Sequence, residues 1–204
     1  MSLAQSQGMR LGRSELGISL VETLGSVGIM AIVAAVAVPA TVRTVGGLRL
    51  DGDARNIHNA VGLAKMRAAA KFSRERIFVD LTTNSYLLQS WDKTTGSWIA
   101  DGGSTRLATG VRFGFGTLTA PPANTQGLIG QAPACRNDAN TVIANTACVV
   151  FNSRGILIDS NGDPNGAGAF YLTDGVGVYA ITLSATPLVR LWWSPAKATS
   201  WAQK

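Results

Sequence analysis

The stretch ISLVETLGSVGIMAIVAAVAV, residues 18–38, carries a single charge, Glu22. As a helix it would extend about 31 Å, enough to cross the hydrocarbon core of a bilayer. Arg10 and Arg13 precede it and bias that flank to the cytoplasmic side, while Pro39 closes the apolar run. The chain is therefore expected to enter a membrane with its N-terminus inside and the residues after 40 outside. Two ordinary readings compete. A secretory signal cut near Ala35-Val36-Ala37 would have an unusually long apolar region, with proline badly placed just after the cut. A plain signal anchor fits the length. Neither accounts for Glu22, because a carboxylate inside an apolar span costs about 2.5–3.5 kcal/mol and usually marks function.

With Glu22 in view, Gly17-Ile18-Ser19-Leu20-Val21-Glu22-Thr23-Leu24 resembles the processing site of type IV prepilins. That family has a short basic leader, a glycine, and an apolar helix with glutamate at its fifth residue. Counting from Ile18, Glu22 falls fifth and Pro39 twenty-second, and both match the family pattern. Ile18 departs from the usual Phe or Met. The resemblance implies a leader over 1–17, cleavage between Gly17 and Ile18 by a membrane prepilin peptidase, and N-methylation of Ile18. It also implies an inner-membrane, single-pass subunit with its head in the periplasm, later moved into a filament or to the cell surface. Other pilins would be its partners through the helix, with Glu22 neutralising the amine of Ile18 on a neighbouring subunit.

Outward from the span, Gly46-Gly47 is expected to loosen the helix, so residues 18–47 form the membrane and filament-core segment. Leu50, Ala54, Ile57, Val61, Ala64, Ala68 and Phe72 then recur at steps of three or four, opposite Asp51, Arg55, Asn59, Arg67 and Arg74. This predicts an amphipathic helix over 48–74, opening a globular head over 48–204. His58 lies near the apolar stripe and reads as a packing or surface residue. Beyond Arg76 the period becomes that of strands: 77–81 and 86–91 flank the turn Thr82-Thr83-Asn84-Ser85, and a second turn leads into Trp98-Ile99. Further strands are expected at 111–118, 148–152, 155–159, 169–173, 177–184 and 188–194, with a long loop over 119–147. The pattern Val150-Phe151-Asn152-Ser153-Arg154-Gly155, followed by Val178–Leu183 and Val189-Arg190-Leu191, resembles the C-terminal half of GspH/FimT-type minor pseudopilins, although Thr186-Pro187 replaces the usual Gly-Arg turn. The expected fold is α+β, a long N-terminal helix packed on an antiparallel β-sheet head. The resemblance implies a minor pilin or pseudopilin, a structural subunit of a type IV pilus or type II secretion pseudopilus at or near the tip.

Charged residues form only 15% of the 204-residue chain and hydrophobic ones 46%, which favours a folded head over disorder. Cys135 and Cys148, with His58 as the single histidine, cannot assemble a four-ligand zinc site. A disulfide closing their loop would contribute about 3 kcal/mol outside the cytosol; two separately buried thiols are the alternative. Asp159, Asn161 and Asp163 alternate as in the start of a calcium loop, but Phe170 stands where glutamate is needed, so an Asx-rich turn is the favoured reading, calcium is the weaker alternative, and no cofactor is expected. The net charge of +6 permits a polyanionic partner. Lys65, Arg67, Lys71, Arg74 and Arg76 gather near the end of the second helix. Arg190 and Lys197 accompany Trp192, Trp193 and Trp201 in the tail. A solvated helix end accounts for the first group. A DNA-binding tip pilin for DNA uptake is the alternative reading, since some FimT-type pilins are DNA receptors. No nucleophile elbow, Walker loop or zincin motif occurs, so no enzymatic activity is expected.

Overall fold

The computed structural model describes residues 19–166, 168–184, 188–198 and 200–204. The chain divides into two compact units, one up to Val42 and one from Arg43. Helix α1 (Leu20–Ala70) begins in the first and ends in the second.

In the first unit Ser19 occupies the N-cap position, its carbonyl accepting the amides of Glu22 at 3.0 Å and Thr23 at 3.1 Å. Glu22 lies in the first turn, where the exposed N–H groups favour a negative charge. The hydroxyls of the apolar segment are satisfied internally: Thr23 donates to the Leu20 carbonyl, Ser26 to that of Glu22, each at 2.8 Å, and Thr41 to that of Ala37 at 2.9 Å. The helix continues through Pro39, and it does not loosen into a break at Gly46-Gly47 as the sequence suggested. Proline removes one intrahelical bond and glycine adds backbone freedom, and the long helical runs on either side outweigh these local costs.

The second unit is an α+β head. Its part of α1 buries Leu50, Ala54, Ile57, Val61, Ala64 and Ala68. Phe72, which the stripe would have included, is exposed, because the helix ends at Ala70 and not near 74. The end is a Schellman arrangement: Ser73 N–H donates to the Ala68 carbonyl at 3.2 Å and Phe72 N–H to that of Ala69 at 3.3 Å. Phe72 takes the left-handed position, φ 49°, usually held by glycine.

Two antiparallel sheets follow where one was expected. The first comprises β1 (Glu75–Asp80), β2 (Ser85–Asp92), β3 (Ser97–Ala100), β4 (Thr105–Arg106), β6 (Thr146–Phe151) and β7 (Leu157–Ile158), in the order β3-β2-β1-β6-β7 with β4 also on β2. The second comprises β5 (Arg112–Phe113), β8 (Gly168–Thr173), β9 (Gly177–Leu183), β10 (Val189–Pro195) and β11 (Ala202–Gln203), in the order β11-β10-β9-β8-β5. The α1 stripe, Ile77 and Val79 of β1, Val149 and Phe151 of β6, and Phe170, Leu172 and Ile181 of the second sheet form one core. The alternate residues of β8 and β9, Ala169, Tyr171, Val178 and Ala180, pack with Leu118, Ala196 and Trp201 in a second cluster. Both faces of these central strands are therefore covered, which is why they read as continuous apolar runs.

The strand expected over 111–118 contracts to Arg112–Phe113, since Gly116 at φ 60° turns the backbone out of the ladder. Likewise 155–159 contracts to Leu157–Ile158 between the Asn152 turn and the Asp159 turn. Strands β4 and β11, two residues each, were missed. The loop over 119–147 stays irregular up to β6, with an Arg136–Val142 bridge inside it. Thr186-Pro187, Gly17 and Ile18 lie outside the described residues.

Candidate functional site

The first candidate lies in the N-terminal unit. Leu20–Val38 is long and apolar enough to cross a membrane, with mean hydropathy 2.1 and none of it buried. Its large side chains stand in solvent, Val21 at 76% and Val38 at 60% exposure. A soluble monomer rarely keeps so large an apolar surface uncovered. Glu22 is the acidic residue of its first turn and is exposed. Pro39 lies within the helix. Gly17 and Ile18, the expected cleavage pair, precede the described residues.

The second candidate is a groove on the head. Strand alternation sends Ile77 and Val79 into the core, so Arg76 and Phe78 take the opposite face of β1. The register sets Arg76 between Gln89 of β2 and Val150 of β6. Its Nε donates to Gln89 Oε1 at 2.7 Å and its Nη1 to the Arg136 carbonyl at 2.6 Å. The guanidinium carbon sits 4.0 Å from the centroid of the Trp98 ring. Arg76 is only 4% exposed. Burial pulls its pKa down to about 10, against the opposing charge of Asp138. Trp98 itself pairs across the β2–β3 hairpin with Trp91, ring centroids 5.2 Å apart and edge to face, and Arg74 covers Trp91 at 4.4 Å.

One side of this groove is the loop closed by the disulfide Cys135–Cys148, whose Cα atoms are 4.9 Å apart. Cys148 belongs to β6, so the bond ties the loop to the sheet itself. Cys135 N–H donates to Thr146 Oγ1 at 3.0 Å, Arg136 Nη1 to the Asn140 carbonyl at 2.7 Å, and Trp98 N–H to Asp138 Oδ1 at 2.9 Å. The space enclosed is about 510 Å³, lined by Arg74, Arg76, Arg136, Trp91 and Trp98 among others. Sequence reasoning included Arg74 and Arg76 in a basic cluster but missed their two tryptophans and Arg136. The available signal was the hairpin register, which sets Trp91 opposite Trp98, with Arg74 and Arg76 two residues apart where β1 begins.

The cations proposed for a polyanion do not share one surface. Arg67 and Lys71 both reach Asp101, at 2.8 and 2.6 Å, and Lys71 also approaches buried Glu75 at 3.2 Å. Ser90 Oγ donates to Glu75 Oε1 and accepts from Lys71 Nζ at 2.8 Å, while Glu75 Oε2 has no hydrogen-bond partner among the described residues. The Lys71 bond, with Arg67 nearby, holds the Asp101 carboxyl below the usual carboxylate value. The Lys65 stem lies against Gly155. Arg190 lines a separate, smaller groove of about 340 Å³ with Arg55 and His58, and Lys197 is exposed beyond β10. The tail tryptophans serve packing: Trp192 Nε1 donates to Thr182 Oγ1 at 2.9 Å and Trp201 Nε1 to the Ala120 carbonyl at 3.0 Å.

At the Asp159 turn, Oδ1 accepts the amides of Asn161 at 2.8 Å and Asp163 at 3.0 Å, the Asx geometry. Among the described residues no cluster of three or more histidine, cysteine or acidic side chains is placed to hold a metal.

These features define an α+β protein with an uncovered apolar helical segment at its N-terminal end and a disulfide-walled groove on its head. In fold, the chain is similar to two solved structures of the minor pseudopilin EpsH from the type II secretion system of Vibrio cholerae. One is 12% identical with a TM-score of 0.44, the other 14% with 0.42, and each match covers 70% of this chain and 95% of that one. No family model and no curated protein matches the sequence.

Proposed function

We propose that the chain is a structural subunit of the pilin type, a minor pilin or pseudopilin that assembles through its N-terminal helix. One observation carries this reading: Leu20–Val38 is wholly exposed, apolar and of membrane length, and it belongs to the same helix that supplies Leu50–Ala68 to the head's core. A segment built into the head's own helix serves poorly as a discarded signal. It suits an anchor that later becomes a packing surface. In this proposal a prepilin peptidase cuts between Gly17 and Ile18, the new amine is methylated, and the subunit waits in the inner membrane with its head in the periplasm. Extraction then exchanges lipid for neighbouring helices. Glu22, costly in either apolar setting, is neutralised there by the Ile18 amine of an adjacent subunit. A place near the filament tip and service in a secretion pseudopilus or a type IV pilus belong to the same proposal. The DNA-receptor alternative is less well supported, because Arg67 and Lys71 are already ion-paired and Arg190 lies on another groove.

The test separates anchoring from assembly. In cells, the native chain and Glu22→Ala should both resist alkaline extraction from membranes, since the variant lengthens the apolar run. Only the native chain should crosslink efficiently to other subunits through a photoreactive residue at Val27. Equal crosslinking by Glu22→Ala would remove the charge-pairing step, and alkaline release of the native chain would remove the anchor.

A further inference from the structure

The groove on the head is net positive: Arg74, Arg76 and Arg136 line it against Asp138 and Asp159. Arg67 and Lys71 are held in ion pairs, whereas Arg74, Arg76 and Arg136 take part in none among the described residues. Arg76 is the deepest of these, and the partners of its two hydrogen bonds, Gln89 and the Arg136 carbonyl, are neutral. Asp138 is near and its charge favours the Arg76 cation, but its Oδ1 accepts the Trp98 amide and it makes no ion pair with the guanidinium. A buried guanidinium with no carboxylate in direct contact gains free energy when an anion arrives to bond it. The space is also suited to a visitor: about 510 Å³, within the usual range for binding clefts, with Val150 and Leu157 beside the arginines.

We propose that this groove receives a single carboxylate, the acidic side chain of an extended segment of a partner protein, with Arg76 as its principal contact and Arg74 and Arg136 beside it. Arginine's planar fork matches a carboxylate in two parallel hydrogen bonds. The same residues disfavour single-stranded nucleic acid. Arg74 and Arg76 already cover indole faces of Trp91 and Trp98 that would otherwise stack bases. Asp138 and Asp159 line the groove as well and would repel a run of phosphates. This proposal stands apart from the assembly reading, since none of its residues lies in the N-terminal unit.

The experiment uses the full chain, isotope-labelled, in zwitterionic detergent micelles, following the Arg76 Nε–H and Trp98 Nε1–H signals by NMR. The probes are N-acetylglutamate N-methylamide, its glutamine counterpart, and a thymidine oligonucleotide. The glutamate compound should move both signals saturably, with a midpoint of about 10–50 mM for so small a fragment. The glutamine compound should act about fivefold more weakly or not at all. Arg136→Gln and Arg74→Gln, whose substitutions leave the Arg76 bonds to Gln89 and to the main chain available, should each weaken the response about threefold. Three results overturn the proposal: equal shifts with the glutamine compound, no shift by about 100 mM glutamate compound, or stronger shifts of the same signals with the oligonucleotide.

Discussion

At Phe72 a large side chain occupies the left-handed position that ends α1. A Cβ there costs about 1 kcal/mol relative to glycine, and the ring is 72% exposed, so packing returns little. Phe72→Gly should therefore stabilise the head by about 0.5–1 kcal/mol in urea unfolding. An unchanged or lowered midpoint would show that the ring has a role in packing not evident from its exposure. Asp101 offers a second test, because it receives both Arg67 and Lys71. Its carboxyl is depressed below the value of 3.8 it would have unfolded. Its stabilising contribution is therefore fully present above about 3.8 and is lost as pH falls through the lower folded value. The pair is partly open to solvent, so Asp101→Asn should cost only about 0.5–1 kcal/mol at pH 7. That cost should shrink toward zero as the pH drops below the depressed value. A cost independent of pH would assign the effect to packing.

The elements differ in how much of each could be read beforehand. The head's helix was legible because Leu50, Ala54, Ile57, Val61, Ala64 and Ala68 repeat at helical spacing, and all are buried. Its end was misplaced because the stripe formally continues to Phe72, and no glycine announces the Schellman turn. Strands β1 and β2 were visible from a polar turn between β-branched and aromatic runs. By contrast, 111–118 has the composition of a strand but pairs only at Arg112–Phe113 with Thr173 and Leu172. That limit is set by which strand neighbours it, a fact local composition does not contain. The separation into two sheets was hidden for the same reason. Of the groove, the paired cysteines and two of the arginines were visible, while the Trp91–Trp98 pairing depends on hairpin register. The disulfide is the element that keeps this region in place. It closes a separation of 13 residues onto β6. Cys135→Ser with Cys148→Ser should cost about 3 kcal/mol, read as a lowered unfolding midpoint that added reductant no longer changes. Native and doubly substituted chains with the same midpoint in the absence of reductant would show that the bond contributes no stability.

For the whole molecule, the N-terminal unit and the head obey different solvents. The head buries its apolar side chains in its own core, whereas Leu20–Val38 leaves them all outside. That contrast was readable from sequence, because an apolar run of membrane length with one acid and a preceding basic flank has few explanations. Continuity past Gly46-Gly47 was not, since it depends on the helical turns on either side. The account as a whole requires that the apolar segment remain joined to the head after processing. The most direct test is the intact mass and N-terminal sequence of the mature chain isolated from membranes. The account predicts a protein that starts at Ile18, carries one added methyl group on its terminal amine, and still contains Leu20–Val38. A mature protein starting near residue 38 would contradict it.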